Sequence, residues 1–239
     1  MERHLSLIKT GYLDLEKRVF PRFPFGFMIF KENTGSKMVF EVKDISLTGM
    51  QITIKDGTHE YQVGSKISGD LHWRGTNVSI VAKIQWVREA SLGIAFESSI
   101  SFENKMRSFL SFENIAQHIK PLHKTDLTEL PNNLKYWLKS DGVLDIYIWE
   151  HSSQGISRFQ ILLMEHFIEW EESVGVKTGK VMTQRDLDMP LSQEDEFVFQ
   201  IDEAVMESKV ELALGVVRKI STDHIPQSVI DFLIIKLGG

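Results

Sequence analysis

The chain has 239 residues, 42% hydrophobic and 25% charged, with a formal net charge of −6, which is the composition of a globular protein rather than a disordered or fibrous one. It has no cysteine, which excludes a disulfide framework, thiolate metal sites and cysteine nucleophiles, and fits a reducing cytosol. The opening MERHLSLIKT lacks the apolar core of a signal peptide, no segment has the apolar length of a membrane-spanning helix, and no broad basic footprint for DNA or RNA is visible, so a cytoplasmic chain is expected, neither inserted in a membrane nor bound to nucleic acid.

The first feature along the chain is KRVFPRFPF, residues 17–25. Arg18 and Arg22, four apart, would share one face of a helix. Pro21 and Pro24 remove backbone donors and push the residues before them into extended conformations, so this stretch reads as a stiff loop. Alone it is an ordinary basic turn.

Strands follow. In RFPFGFMIF the apolar parity is Phe23, Phe25, Phe27 and Ile29, predicting a first strand anchored by its phenylalanines. KMVFEVK alternates at Met38, Phe40 and Val42, MQITIK at Met50, Ile52 and Ile54, and KISGDLHW at Ile67, Leu71 and Trp73. NVSIVAKIQW holds Val78, Ile80, Ala82, Ile84 and Trp86 on one parity, and LGIAF closes the series. Short turns (KDGT, WRGTN, REAS) separate the runs, so six antiparallel strands forming a small barrel or sandwich are predicted.

From Ser101 the period changes. Phe102, Met106, Phe109 and Leu110 recur at helical spacing, with Ser101 as N-cap and Pro121 as the stop. A boundary is expected in IKPLHKT, separating a domain at residues 1–118 from an α+β domain at residues 125–239. In the second domain residues 127–139 read as a helix interrupted by Pro131. VLDIYIW, ISRFQILLMEHFIEW and VGVKTGKVM read as three strands of a meander. A long helix is predicted over residues 197–220 and a short one over 226–237.

About twenty residues after the arginine loop stands Asp44-Ile45-Ser46-Leu47-Thr48-Gly49, at the end of the second strand. Asp and Ser bond nearby backbone and Gly49 would allow a positive φ, so alone this is a good β-turn. The combination says more. R-x-x-x-R before a first strand, D-x-S-x-x-G between the second and third of six strands, and a closing helix together resemble the PilZ domain, the bacterial receptor module for cyclic di-GMP. The resemblance covers about residues 10–115, and W-V-R-E-A-S-L-G-I-A-F, with Arg88 and Gly93, is similar to the family's last hairpin.

The resemblance implies a six-stranded antiparallel PilZ-like barrel with a closing helix, and a cyclic di-GMP site made of Arg18, Arg22, Asp44, Ser46 and Gly49, with Lys17 and Arg88 as further contacts. The chemistry is consistent. A guanidinium can bond guanine O6 and N7 or a phosphate bidentately, or stack on a base; lysine supplies only a point charge. A carboxylate suits the N1–H and N2 donors of guanine, which adenine does not offer as a pair. Lys17 stands where the family sets the choice between one ligand and an intercalated pair, and the pair is expected.

The implied function is a cyclic di-GMP receptor without catalysis or cofactor. Ligand binding would change the packing between domains and the contact with an unknown effector protein in control of motility, exopolysaccharide synthesis or virulence. The alternative is a PilZ-fold interaction module that works without nucleotide. A switched enzyme in the second domain has little support, since no catalytic set converges.

Weaker signals are set aside. Residues 175–181, GVKTGKV, have short glycine spacing and Val181 in place of the Ser or Thr of a phosphate loop, so a hairpin turn is expected. His166 and Glu169, with Glu165 and His151 nearby, lack a coherent third metal ligand. Trp137, Trp149 and Trp170 read as core or interface. Nine acidic residues against Lys209 in residues 186–211 read as a solvated run.

Overall fold

Between residues 29 and 96 the period-two patterning closes a six-stranded antiparallel barrel in the order β1-β2-β3-β6-β5-β4. Its strands are β1 (Ile29–Glu32), β2 (Val39–Ile45), β3 (Gly49–Thr53), β4 (Lys66–Trp73), β5 (Thr76–Arg88) and β6 (Ser91–Phe96). The structure is a computed structural model, and it describes residues 22–33, 38–53, 60–122, 133–141, 143–152, 155–182 and 198–239. Phe30, Phe40, Ile52, Leu71, Trp73, Ile80 and Ile94 fill the barrel and are almost fully buried.

The first strand departs from the expected parity. Met28 and Phe30 point inward, both fully buried, whereas Phe27 is 78% exposed. A turn at Gly26 and Phe27, with φ of 62° at Phe27, resets the alternation before β1 begins. Phe25 is buried ahead of the strand and meets Trp73 edge-on at 5.1 Å.

After the barrel come α1 (Ile100–Phe109) and α2 (Phe112–Ala116). The cap of α1 is Ser99 rather than Ser101: Ser99 is extended, with φ −144° and ψ 157°, and its hydroxyl accepts from the amide of Phe102 at 3.2 Å. Ser111 does the same for Asn114 at the start of α2.

A seven-stranded antiparallel meander follows, each strand beside the next in sequence. It runs β7 (Lys120–Pro121), β8 (Leu134–Ser140), β9 (Leu144–Glu150), β10 (Ile156–Leu163), β11 (His166–Glu171), β12 (Gly175–Val181) and β13 (Phe199–Ile201). Then come α3 (Glu207–Val217) and α4 (Gln227–Lys236). Four expectations change here. The helix expected over residues 127–139 is strand from Leu134 onward, where Tyr136 and Trp137 favour a strand paired on both sides; residues 127–132 lie outside those described. The run ISRFQILLMEHFIEW is two strands, separated by a turn at Met164 and Glu165 with φ 51° at Met164. The long helix from residue 197 starts only at Glu207, because Phe199–Ile201 pairs with β12 instead. GVKTGKV is strand β12, as the meander reading had it, and not the hairpin turn expected in place of a phosphate loop.

Helices α3 and α4 cover one face of this sheet, with Ala213, Val216, Val217 and Leu233 fully buried and Phe232 edge-on to Trp170 at 5.2 Å. The apolar core is continuous from the barrel through α1 and α2 into the sheet and its helices. Among the described residues no helix is long and apolar enough to cross a membrane.

Candidate functional site

Two β-bulges build the outer face of the barrel. Along β2 the inward residues are Phe40 and Val42, which would send Asp44 inward as well. Instead the register shifts between Val42 and Asp44, with Lys43 as the extra residue, and Ile45 becomes the next buried position. Asp44 is thereby turned outward. On β5 the inward residues run from Val78 to Ile84, and the register shifts between Ile84 and Trp86. Past that bulge Val87 packs on the core and Trp86 faces out. The parity read from the sequence placed Trp86 in the barrel; the bulge at Gln85 reverses it.

The reversed positions are in register. Asp44 pairs with Gln51, Gln51 with Gly93, and Gly93 with Trp86, one row across β2, β3, β6 and β5. At strand spacing the row spans roughly 14 Å. A second row holds Thr53, Ser91 and Arg88. Gly93 is the flat step in the platform: a Cβ there would meet Trp86 Nε1 at 2.0 Å, so the indole lies over the glycine. The Arg88 guanidinium stands 5.2 Å from the Trp86 ring. Arg22, Gln51, Trp86, Arg88, Glu89 and Ser91 line an open cavity of about 850 Å³, a size suited to a ligand larger than a single nucleotide base.

Arg22 is held beside this row. Phe23 and Ile45 exchange backbone hydrogen bonds of 2.9 and 3.0 Å, fixing the segment after Arg22 to the end of β2. Arg22 Nη1 then donates to Asp44 Oδ1 at 3.2 Å, and both side chains are only about one fifth exposed. A part-buried pair of this kind holds both side chains aimed at one place.

The other motif residues serve the turn. Ser46 is 4% exposed, and its hydroxyl donates to the Gly49 carbonyl at 3.2 Å and accepts from the Thr48 amide at 3.3 Å. Gly49 is not among the residues with positive φ. The expected freedom of φ is therefore not its role. A Cβ at Gly49 would lie 2.4 Å from the Ile94 carbonyl oxygen, so glycine is needed where β3 and β6 approach each other. Lys17 and Arg18 lie outside the described residues. Sequence reasoning missed Gln51 and Trp86; the signal available was the glycine at position 93 opposite a tryptophan, but its use depends on a bulge that period-two patterning cannot show.

The four candidate metal ligands of the second half, His151, Glu165, His166 and Glu169, form no metal-binding group. His166 and Glu169, three apart on β11, point to opposite faces of the sheet. His151 is bonded to Glu172 at 2.6 Å. Glu169 is taken up by Gln160 and, at 2.8 Å, by Arg158 Nε. Among the described residues no group of acidic residues and histidines could hold a metal ion.

The strands and helix make a six-stranded antiparallel closed barrel followed by a helix, with an open cavity on its outer face. Comparison with known families agrees: residues 16–111 match the model of the PilZ domain, and the rest of the chain matches no family. The N-terminal part is thus a PilZ domain, a family of cyclic di-GMP receptor modules that are not typically enzymes. No curated protein matches the chain.

Proposed function

We propose that this protein is a cyclic di-GMP receptor whose ligand lies on the outer barrel face, over the row Asp44, Gln51, Gly93 and Trp86. The observation that carries the reading is that one row presents a carboxylate, an amide and an upturned indole beside Arg22. Asp44 accepts the N1–H and N2–H donors of a guanine. Trp86 and the Arg88 guanidinium offer flat faces for stacking a base. Arg22 and Arg18 bond guanine O6 and N7 or the phosphates. Lys17 adds charge for a second, intercalated ligand. Ser46 and Gly49 act through the turn that aims Asp44. The stretches 1–118 and 125–239 act as receptor and output parts, and the output contacts an effector protein in motility, exopolysaccharide or virulence control.

Calorimetry with cyclic di-GMP tests this directly. The full chain is expected to bind, and Arg18→Ala and Arg22→Ala to weaken binding by tenfold or more, since a charge-assisted hydrogen bond contributes roughly 1.5–3 kcal/mol. No heat from the wild type, or unchanged affinity in both variants, refutes the site.

One observation favours a second reading, a PilZ-fold protein-interaction module that works without nucleotide: Arg22 and Asp44 already satisfy each other. A pull-down whose partners are the same with and without cyclic di-GMP would support it.

A further inference from the structure

We propose that Asp141, in the turn between β8 and β9, couples the nucleotide site to the seven-stranded sheet. The inference rests on reading the barrel face as a cyclic di-GMP site. The short segment carrying Arg22 is clamped twice. On the barrel side, Phe23 and Ile45 hold it next to Asp44. Four residues beyond Arg22, the second clamp comes from the other half of the molecule: the Gly26 amide donates to the Asp141 backbone carbonyl at 2.8 Å.

The Asp141 side chain strengthens that clamp. Its carboxylate accepts from Arg74 Nε at 2.8 Å, Arg74 Nη2 at 2.9 Å and Trp73 Nε1 at 3.1 Å. The arginine fork fixes geometry as well as charge. Trp73 Nε1 also lies 3.2 Å from the Gly26 carbonyl, and the Trp73 ring carries Phe25. One residue of the turn after β8 therefore joins three places: the Asp141 backbone carbonyl holds the chain after Arg22, and its carboxylate holds Trp73 and Arg74 at the turn after β4.

Three non-glycine residues at this junction adopt positive φ: Phe27 at 62°, Arg74 at 47° and Asp141 at 42°. For Arg74 and Asp141 a positive φ is ordinary, since both stand in short hairpin turns, and those two turns meet the Gly26–Phe27 turn at one place. The Arg74 guanidinium also covers the Phe27 ring at 4.5 Å. The position of Arg22 is thus set in part by the second sheet. Linkage makes the effect reciprocal: a nucleotide that engages Arg22 tightens the Gly26–Asp141 clamp, and a partner that displaces the β8–β9 turn loosens the nucleotide.

The test uses the full chain, with cyclic di-GMP as the probe, and combines calorimetry with amide hydrogen exchange. In the wild type, saturating nucleotide should slow exchange at the Gly26 amide. Asp141→Ala should weaken cyclic di-GMP at least about fivefold, the lower end of ordinary coupling, and abolish the nucleotide effect at Gly26. Asp141→Asn, which keeps the shape and loses the charge pair, should shift both readouts in the same direction and carries the test if the alanine variant does not fold. A merely structural residue would lower the melting temperature and leave affinity unchanged. The proposal is overturned if folded Asp141 variants bind as tightly as the wild type, or if the wild type binds nucleotide with no change at Gly26. A wild type that binds no cyclic di-GMP sinks the underlying reading, and this proposal with it, which a binding but unresponsive protein does not.

Discussion

Two glycines on the outer face have opposite kinds of work, and substitutions separate them. Gly49 faces backbone: its missing Cβ makes room for the Ile94 carbonyl. Gly49→Ala must push β3 from β6 and should cost about 1–3 kcal/mol in chemical denaturation, as overpacking of a tight site does. Gly93 faces a side chain, the Trp86 indole. Gly93→Ala can be relieved by swinging the indole away, so it should leave stability within about 1 kcal/mol of the wild type while weakening cyclic di-GMP. Calorimetry beside a urea melt distinguishes the two. Stability loss without affinity loss at Gly93 would mean that Trp86 is not a platform. At this scale one pairing within the candidate site was legible: Asp44 and Arg22 are brought together by the fold, 22 positions apart in the chain. Trp86 was hidden, because a tryptophan on an apolar parity reads as core until the bulge is known.

At the scale of elements, the site depends on the extra residues Lys43 and Gln85 more than on what those residues are. A one-residue slip exchanges the two faces of a strand. Deleting Lys43 removes the bulge and its local twist but keeps the parity, with Val42 and Ile45 still facing in and Asp44 still facing out opposite Gln51. The deletion variant should therefore give a folded barrel by near-ultraviolet circular dichroism, and should weaken cyclic di-GMP binding because the bulge no longer aims Asp44; unchanged affinity would mean that the bulge does not shape the site. Lys43→Ala keeps the count and should fold normally. Strand number, order of types and the closing helix were readable from alternation; the bulges were not, since an added residue leaves local composition unchanged. The same limit explains the second half, where paired neighbours rather than intrinsic preference made strands of residues 134–140 and 199–201. Its sheet also gives a pH dependence. Burial pushes the His166 imidazole below its usual range, the nearby Glu165 carboxylate only partly opposing this. The folded form thus resists a proton that the unfolded chain takes up at about pH 6.5. Stability should fall as pH drops below that value, and His166→Gln should flatten the slope in melts between pH 7.5 and 5.5. An equal slope in the variant would assign the effect elsewhere, His118 being the next candidate because burial lowers it too.

At the scale of the whole molecule, the PilZ match ends at residue 111, but the packing does not. Helix α2 begins one residue later and lies against α3, where a Cβ on Gly215 would come within 2.7 Å of the Phe112 ring. The Ser140 hydroxyl at the end of β8 donates to the Ile115 carbonyl at 2.8 Å. With Asp141 one residue further on, the second sheet holds both the closing helices and the segment carrying Arg22. A shared apolar core of this kind predicts one cooperative unfolding transition rather than two. Gly215→Val should test it, since a branched side chain against Phe112 costs about 1–3 kcal/mol. If the halves are one unit, the variant should lower the midpoint of barrel and sheet together, read by cyclic di-GMP binding for the first and far-ultraviolet circular dichroism for the second. If the barrel keeps its nucleotide affinity while the remainder melts early, the halves are energetically separate, and a signal from ligand to sheet must then pass through local contacts such as those of Asp141.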